Sequence, residues 1–178
     1  MIMSSTTQWP AASVEARLDS EDGSAVLTYD SLKVQEIIAS VGDDTAGATA
    51  VFIGTTRNSF KGKTVTRLDY QAYSKLAIKT MASILRDTRN RFMRSGHQTP
   101  GQQEVSAVVK CAVHHRLGTV PVGEPSIVIA VSSPHRKESF LACEYILEEV
   151  KLKAQIWKRE FYDGEGDEEA EWKSNTAP

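Results

Sequence analysis

The 178-residue chain lacks any long apolar run, has few cysteines and carries almost no net charge. No hydrophobic segment approaches the roughly 18 residues that a membrane-spanning helix needs, so we predict a globular domain. The net charge of −2 at pH 7 disfavours a dedicated nucleic-acid binder, which would be strongly basic. No P-loop, GxSxG, HExxH or paired-carboxylate pattern occurs, which removes the common signatures of nucleotide, ester and zinc-dependent peptide hydrolysis.

The sequence also lacks any pattern typical of a metal site. Cys111 and Cys143 do not have the spacing of zinc ligands, and each lies in an apolar segment. We interpret both as buried free thiols in a reducing compartment, and we predict a cytoplasmic location. His114 and His115 are adjacent on a predicted strand, so their side chains should point to opposite faces. No metal site is therefore expected.

The two ends of the chain are polar. Residues 1–24 have no regular hydrophobic period, so we predict a flexible N-terminal extension. Residues 1–20 lack the charged start and apolar core of a secretory signal, but they are rich in Ser and Thr, which leaves a transit peptide open. Residues 163–178 are predicted to be an acidic, solvated tail that closes with the WKSN segment at 172–175.

The segment 25–162 is predicted to form one folded domain. Hydrophobic periodicity predicts helices that start near Asp30, Ser74 and Pro134, and a loop at 95–103. Strands are predicted at 25–29, 48–56, 64–73, 105–114, 126–132 and 156–162. The near-continuous apolar content of 48–56 is typical of a buried strand. Strands grouped in hairpins and joined by two or three helices predict an α+β fold with a mostly antiparallel sheet.

Cationic side chains flank the last predicted helix. Ser133-Pro134 is typical of an N-cap followed by proline in the first turn, which places His135 and Arg136 at the helix start. The free backbone N–H groups there disfavour positive side chains but favour a bound phosphate. Lys151 and Lys153 close the helix, and Lys158-Arg159 follow. We expect the chain to fold back so that these groups converge on one anionic ligand.

Each of these groups also has a purely structural interpretation. Lys151 and Lys153 are spaced to pair with Glu148 and Glu149 on the same helix. The pairs His135-Arg136 and Arg57-Asn58 fit a solvated helix start and a solvated hairpin tip. In the strand 156–162, Lys158 shares one face with Ile156, whereas Arg159 shares the other with Trp157. The residues alone therefore leave a phosphate site and a charged surface both open.

Four motifs in a fixed order carry a resemblance to a known family. They are GATAVFIGTTRN at 47–58, HRLG at 115–118 with Val122-Gly123-Glu124 after it, SPHR at 133–136 and KLKAQIWKRE at 151–160. Together they resemble the large, catalytic subunit of molybdopterin synthase, over roughly Val26 to Asn175. Two departures are visible: Gln155 stands where a proline is frequent, and residues 95–104 form a longer loop than in the shortest relatives.

The resemblance implies an α+β fold of the α/β-hammerhead type and a catalytic domain at 25–162. It implies a sulfurtransferase that converts cyclic pyranopterin monophosphate to molybdopterin without a metal or organic cofactor. The sulfur would come from a thiocarboxylate on the C-terminal Gly-Gly of a small ubiquitin-like subunit, bound to a homodimer of this chain in a heterotetramer. By motif match, Lys151 and Lys158 are the catalytic residues. The implied substrate-binding residues are Arg57, His135, Arg136, Lys151, Lys158 and Arg159.

Two other functions remain open from the residues. A non-catalytic docking module for a ubiquitin-like tail would need a similar groove but no reactive lysine. A phosphate- or RNA-binding domain could use Arg57, Arg136 and Lys158, although the net charge and the absence of interleaved aromatic residues disfavour RNA.

Overall fold

The computed structural model of the protein describes residues 9–93 and 107–174. Within them the strands are β1 (Ala16–Ser20), β2 (Gly23–Thr28), β3 (Ala48–Thr55), β4 (Ser59–Phe60), β5 (Lys63–Ala72), β6 (Lys110–Arg116), β7 (Gly118–Pro121), β8 (Pro125–Ser133), β9 (Ile156–Tyr162) and β10 (Lys173–Ser174). The helices are α1 (Val34–Ser40), α2 (Ser74–Arg91) and α3 (Arg136–Lys153), with a 3₁₀ turn at Asp167–Glu169. The predicted loop at 95–103 lies outside the described residues.

The strands form two sheets. The first has the order β1-β2-β6-β8-β3, in which β2 and β6 are parallel and all other neighbours are antiparallel. The second has the order β10-β9-β5-β4 with β7 also paired to β5, and its strands are antiparallel. The predicted α+β fold with mostly antiparallel strands and two or three helices is confirmed, although the strands divide between two sheets.

The core lies on both faces of the first sheet, around β8. Helices α2 and α3 pack on one face, and α1 covers the other with Ile37 and Val41 against Val128 and Ala130. Strand β8 is therefore buried along nearly its whole length, as its apolar sequence requires. Strand β3 lies at the sheet edge, so the expectation of a fully buried strand at 48–56 is wrong.

The start of α3 differs from its prediction. Ser133 is the last residue of β8, paired with Ala48 of β3, and this pairing keeps its backbone extended. His135 is the N-cap residue, with φ −129° and ψ 144°, and Arg136 is the first helical residue. The Ser133 hydroxyl contacts the backbone N (3.2 Å) and O (2.9 Å) of His135, so it stabilises the strand-to-helix turn. The prediction of Ser133 as the N-cap is wrong.

The segment 13–24 is part of the fold, so the predicted flexible extension is wrong there. Strand β1 pairs with β2 through a tight turn. Ser13 is buried, and its hydroxyl oxygen accepts a hydrogen bond of 3.1 Å from the backbone N–H of Ala72. The Glu15 carboxylate accepts bonds from the Thr28 hydroxyl and the Tyr29 backbone. Polar contacts of this kind leave no hydrophobic period in the sequence. Residues 1–8 lie outside the described residues.

The acidic segment after β9 is attached to the second sheet. Glu165 pairs with Lys63 at 2.5 Å and Asp167 pairs with Arg67 at 2.8 Å, although Asp167 itself is exposed. Strand β10 then pairs with β9, so the described part of the tail runs back along the sheet. The prediction of a purely solvated tail is therefore wrong for residues 163–174.

The two thiols are free and buried, as predicted. Burial raises the pKa of Cys111 to about 12 and that of Cys143 to about 11. No helix in the described ranges is both long and apolar enough to cross a bilayer.

Candidate active site

An open cavity of about 300 Å³ is lined by residues of both sheets and of α3. Three cationic residues line it, Arg57, Lys151 and Lys158, together with one carboxylate, Glu160. Its apolar lining comes from both sheets and α3 and consists of Phe52, Phe60, Val65, Leu68, Ile127 and Leu147. Cationic groups set in a mostly apolar wall suit an organic anion, because the apolar wall strengthens their attraction to a charged ligand group.

Lys151 reaches the cavity from the last turn of α3. Buried residues at helical spacing, Ala142, Ile146 and Val150, fix this helix against the first sheet. Of the two ion pairs that the spacing suggested, Lys153 pairs with Glu149, whereas no ion pair joins Lys151 to Glu148 among the described residues. Lys151 therefore presents its ammonium group at the cavity without a carboxylate partner from its own helix.

Successive side chains of strand β9 lie on opposite faces of the second sheet, because side chains alternate along a β-strand. Lys158 and Glu160 line the cavity, and the Lys158 ammonium lies 3.3 Å from a Glu160 oxygen. Arg159 lies on the other face, where its guanidinium donates two hydrogen bonds of 3.2 and 3.0 Å to buried Asp69. The structure therefore brings Lys158, but not Arg159, to the cavity wall.

The other oxygen of Glu160 also has a partner. The Tyr162 hydroxyl donates to it at 2.5 Å. Desolvation, followed by the interaction with Glu160, raises the pKa of Tyr162 to about 12, so this hydroxyl stays protonated at neutral pH.

A buried histidine lies against the cavity. His115 is 1% exposed, and its Nδ1–H donates to the backbone O of Arg116 at 2.8 Å, which leaves Nε2 as the acceptor of the neutral ring. Burial lowers the pKa of His115 to about 4, so the ring is neutral near pH 7. Its ring packs edge-on against Tyr70 at 4.9 Å between centroids.

His114 lies on the opposite face of β6 from His115, as predicted. Its Nε2 lies 3.4 Å from the Ser24 hydroxyl oxygen. Residues 9–93 and 107–174 contain no group of three or more His, Cys, Asp or Glu side chains that could hold a metal ion.

Arg57 follows the end of β3, next to the hairpin formed by β4 and β5. Its guanidinium carbon lies 5.4 Å from the ring centroid of Phe60, and both residues line the cavity. The structure therefore brings Arg57 to the same cavity as Lys151 and Lys158.

His135 and Arg136 do not line this cavity. They are exposed at the start of α3, whereas Lys151 is in its last turn. A helix rises about 1.5 Å per residue, so the backbones of Arg136 and Lys151 are about 22 Å apart. The expectation that both ends of the helix converge within one chain is therefore wrong, because a continuous helix keeps its ends apart.

Sequence reasoning missed several residues of the cavity wall. Glu160, Tyr70 and His115 line it, and none was named as a candidate. For Glu160 the signal was present, since it lies two residues after Lys158 on a strand and must share its face. Tyr70 lies outside the four motifs and reaches the cavity only through the pairing of distant strands, whereas His115 begins the HRLG motif, although no site role was predicted for it.

The model of the MoaE protein family matches residues 27–153, more than half of the chain. The chain belongs to the MoaE family. It is 46% identical over 150 residues to molybdopterin synthase catalytic subunit 1 of Aedes aegypti, an alignment that covers 84% of this chain and 87% of that relative.

Solved structures of this family share the fold. Molybdopterin synthase from Staphylococcus aureus superimposes with a TM-score of 0.69 at 26% identity, over 83% of this chain and 94% of that one. A complex of subunits 1 and 2 of the molybdopterin-converting factor from Helicobacter pylori contains a chain with the same fold, with a TM-score of 0.60 at 19% identity, over 79% and 86% of the two chains.

Membership in the MoaE family confirms the resemblance found in the motifs. It assigns the chain to the catalytic subunits of molybdopterin synthase, which act in molybdenum cofactor biosynthesis. The family match includes Arg57, His135, Arg136 and Lys151 and ends before Lys158. The roles of these individual residues stay predictions.

Proposed function

We propose that this chain inserts sulfur into cyclic pyranopterin monophosphate to form molybdopterin. The sulfur comes from a thiocarboxylate on the C-terminal Gly-Gly of a small ubiquitin-like partner, and the partner is released as a carboxylate when the acyl–sulfur bond is hydrolysed after transfer. One observation carries the proposal: Arg57, Lys151 and Lys158 line a single cavity whose remaining wall is largely apolar. Both reactants are anions, and the pterin is a flat heterocycle that such a wall accommodates.

The three cations have different parts in this reaction. Arg57 offers a planar, permanently charged fork for the phosphate of the substrate. The thiocarboxylate sulfur forms a bond to a side-chain carbon of the pterin while a C–O bond at that carbon breaks, and Lys151 stabilises the departing oxygen or supplies its proton. Water then hydrolyses the acyl–sulfur bond, so that the sulfur stays on the pterin and the partner leaves as a carboxylate. Lys158, held beside Glu160 at 3.3 Å, supplies the second ammonium group at the reacting atoms.

The partner's tail must reach Lys151 for this chemistry. A Gly-Gly end has no side chains, so it can pass closely along a backbone towards the cavity. Adding one phenylalanine after Gly-Gly should block transfer, because a displacement of about 1 Å can already cost roughly a hundredfold in rate. A partner that ends in Gly-Gly-Phe-thiocarboxylate and reacts at the normal rate would contradict this arrangement.

The separation between Arg136 and Lys151 bears on the proposed homodimer. If His135 and Arg136 bind substrate, as the motif match implies, they must do so at the cavity of a second copy of this chain. Strand β3 offers an edge for such a contact, since Val51 and Ile53 on it are 36% and 42% exposed. We include this two-chain site in the proposal.

Subunit mixing tests the two-chain site. Lys151→Ala and Arg136→Ala should each be inactive as homodimers. After subunit exchange, half of the dimers are mixed and each has one intact site, so about a quarter of wild-type activity should return. Activity that stays at the level of the separate variants after exchange would reject a shared site.

The central assay mixes this chain with thiocarboxylated partner and cyclic pterin, and measures dithiolene product. Lys151→Ala should abolish turnover while the protein stays folded, because Lys151 is exposed and has no ion pair among the described residues. Lys153→Ala is the matched control: it lies on the same helix turn, pairs with Glu149 and does not line the cavity. Equal losses for both variants would refute the role of Lys151.

The same assay separates the enzyme from a docking module for a ubiquitin-like tail. A docking module would bind the partner but yield no dithiolene product. The cytoplasmic location stays a prediction, and a fluorescent fusion of the full chain would test it.

A further inference from the structure

We infer that Tyr162 is a positioning residue that fixes Lys158 in the cavity by holding the Glu160 carboxylate. The inference rests on the proposed function of the cavity, and it assigns a role to a residue that lies outside the four sequence motifs. It starts from three side chains at alternate positions of β9, Lys158, Glu160 and Tyr162, which must lie on one face of the strand.

These three side chains form a continuous chain of contacts. The Tyr162 hydroxyl donates to Oε2 of Glu160 at 2.5 Å, and Oε1 of Glu160 lies 3.3 Å from the Lys158 ammonium. The side chains of Lys158 and Glu160 are only 19% and 10% exposed. Each carboxylate oxygen thus has its own partner, so the plane of the carboxylate is fixed from both sides.

Tyr162 is itself held from its other side. The Lys63 ammonium lies 5.0 Å from the centroid of the Tyr162 ring, and Lys63 pairs with Glu165 of the acidic tail at 2.5 Å. Because the hydroxyl stays protonated at neutral pH, it serves as a constant donor to Glu160. The tail is thereby linked to the cavity through Lys63, Tyr162 and Glu160.

The physical reason for such support lies in the lysine side chain. Lysine carries its charge on a flexible four-carbon stem and loses rotamer entropy when it is fixed. A carboxylate that could itself rotate would hold the ammonium group poorly. When Tyr162 is hydrogen-bonded to Oε2 of Glu160, the carboxylate cannot rotate freely and its Oε1 has a fixed orientation. Lys158, which contacts Oε1, is then held in one position relative to the substrate.

The test is Tyr162→Phe, which keeps the ring and its contact with Lys63 and removes only the hydroxyl. We expect kcat for dithiolene formation to fall roughly tenfold, less than the hundredfold that a 1 Å misplacement can cost, with KM for both reactants changed less than about twofold. Tyr145→Phe on α3 is the matched control, because its ring packs on Phe92 and Arg91 away from the cavity and its hydroxyl bonds to no described residue.

A double-mutant cycle separates positioning from general stability. In a Lys158→Ala background the Tyr162→Phe change should lower kcat by less than about twofold, because its effect acts through the lysine side chain that has been removed. If residual turnover is too low there, Glu160→Ala serves as the background and gives the same expectation. An equal loss in the wild-type and variant backgrounds, or no loss at all, overturns the inference.

The outcome for the wild-type protein distinguishes this inference from the proposed function. If the unmodified chain forms no product with the thiocarboxylated partner, the proposed function fails. If it forms product and the cycle is additive, only the role of Tyr162 fails.

Discussion

Replacing Asp69 by asparagine tests whether Arg159 supports the fold rather than the substrate. Asp69 is 2% exposed and lies directly opposite Arg159 in the pairing of β5 with β9. Its carboxylate accepts two hydrogen bonds from Arg159, at 3.2 and 3.0 Å, and one of 2.8 Å from the Thr119 hydroxyl. An asparagine side chain at this position would keep the shape and remove the charge, which leaves the Arg159 guanidinium without its counter-ion.

The structure also sets the size of the effect. Removing one partner of a fully buried ion pair costs about 3–5 kcal/mol. The Arg159 side chain is 24% exposed and can recover some hydration. We therefore expect Asp69→Asn to lower the free energy of unfolding by about 2–4 kcal/mol. For a domain of this size, that loss lowers Tm by roughly 5–15 °C.

The assay is urea unfolding at pH 7, monitored by circular dichroism. Asp167→Asn is the matched control, since Asp167 also pairs with an arginine, Arg67, but is 73% exposed. A surface pair of this kind contributes about 0–1 kcal/mol, so the control should unfold nearly as the wild type does. If Asp69→Asn is no more destabilising than the control, the pair with Arg159 is not structural, and the predicted substrate contact of Arg159 regains support.

The buried groups and the N-terminal hairpin give three further predictions. Burial lowers the pKa of His115 from 6.5 to about 4. Between pH 6.5 and pH 4 the unfolded chain therefore binds a proton at this residue that the folded chain does not bind, so the free energy of unfolding falls as the pH falls. In urea unfolding, His115 should make the free energy of unfolding about 2 kcal/mol lower at pH 5 than at pH 7. The His115→Gln variant should lack this contribution, and a variant with the same pH dependence as the wild type would contradict the prediction. Gly23 has φ +143°, and a Cβ there would lie 2.2 Å from the Cys111 carbonyl oxygen. Gly23→Ala should therefore destabilise the protein by at least about 2 kcal/mol, measured by thermal unfolding. If the segment were flexible, the substitution would be tolerated. Finally, Cys111 and Cys143 should react with a thiol reagent at pH 8 only after unfolding, because burial raises both thiol pKa values; rapid labelling of the folded protein would count against buried thiols.

The strongest local patterns in the sequence were predicted correctly. The helix from Ser74 and the strand 156–162 begin where they were expected, because apolar residues recur there with a clear period and turn residues bound them. The motifs also named Arg57, Lys151 and Lys158, which the structure brings to one cavity, and the alternation along β9 separated Lys158 from Arg159. Strand β1 of the N-terminal hairpin was missed, because polar hydrogen bonds such as those of Ser13 and Glu15 hold this segment and give no clear hydrophobic period.

The sequence by itself determined the family, the α+β class and the main cationic residues of the candidate site, because short motifs and hydrophobic periods are local properties of the chain. Only the tertiary structure decided which of those cations meet. Lys151 and Lys158 converge because β9 turns back beside the end of α3, whereas Arg136 stays about 22 Å from Lys151 because one helix spans the distance. The pairing of Asp69 with Arg159 was likewise decided by the tertiary structure, since β5 and β9 are distant in sequence and their register depends on the whole fold.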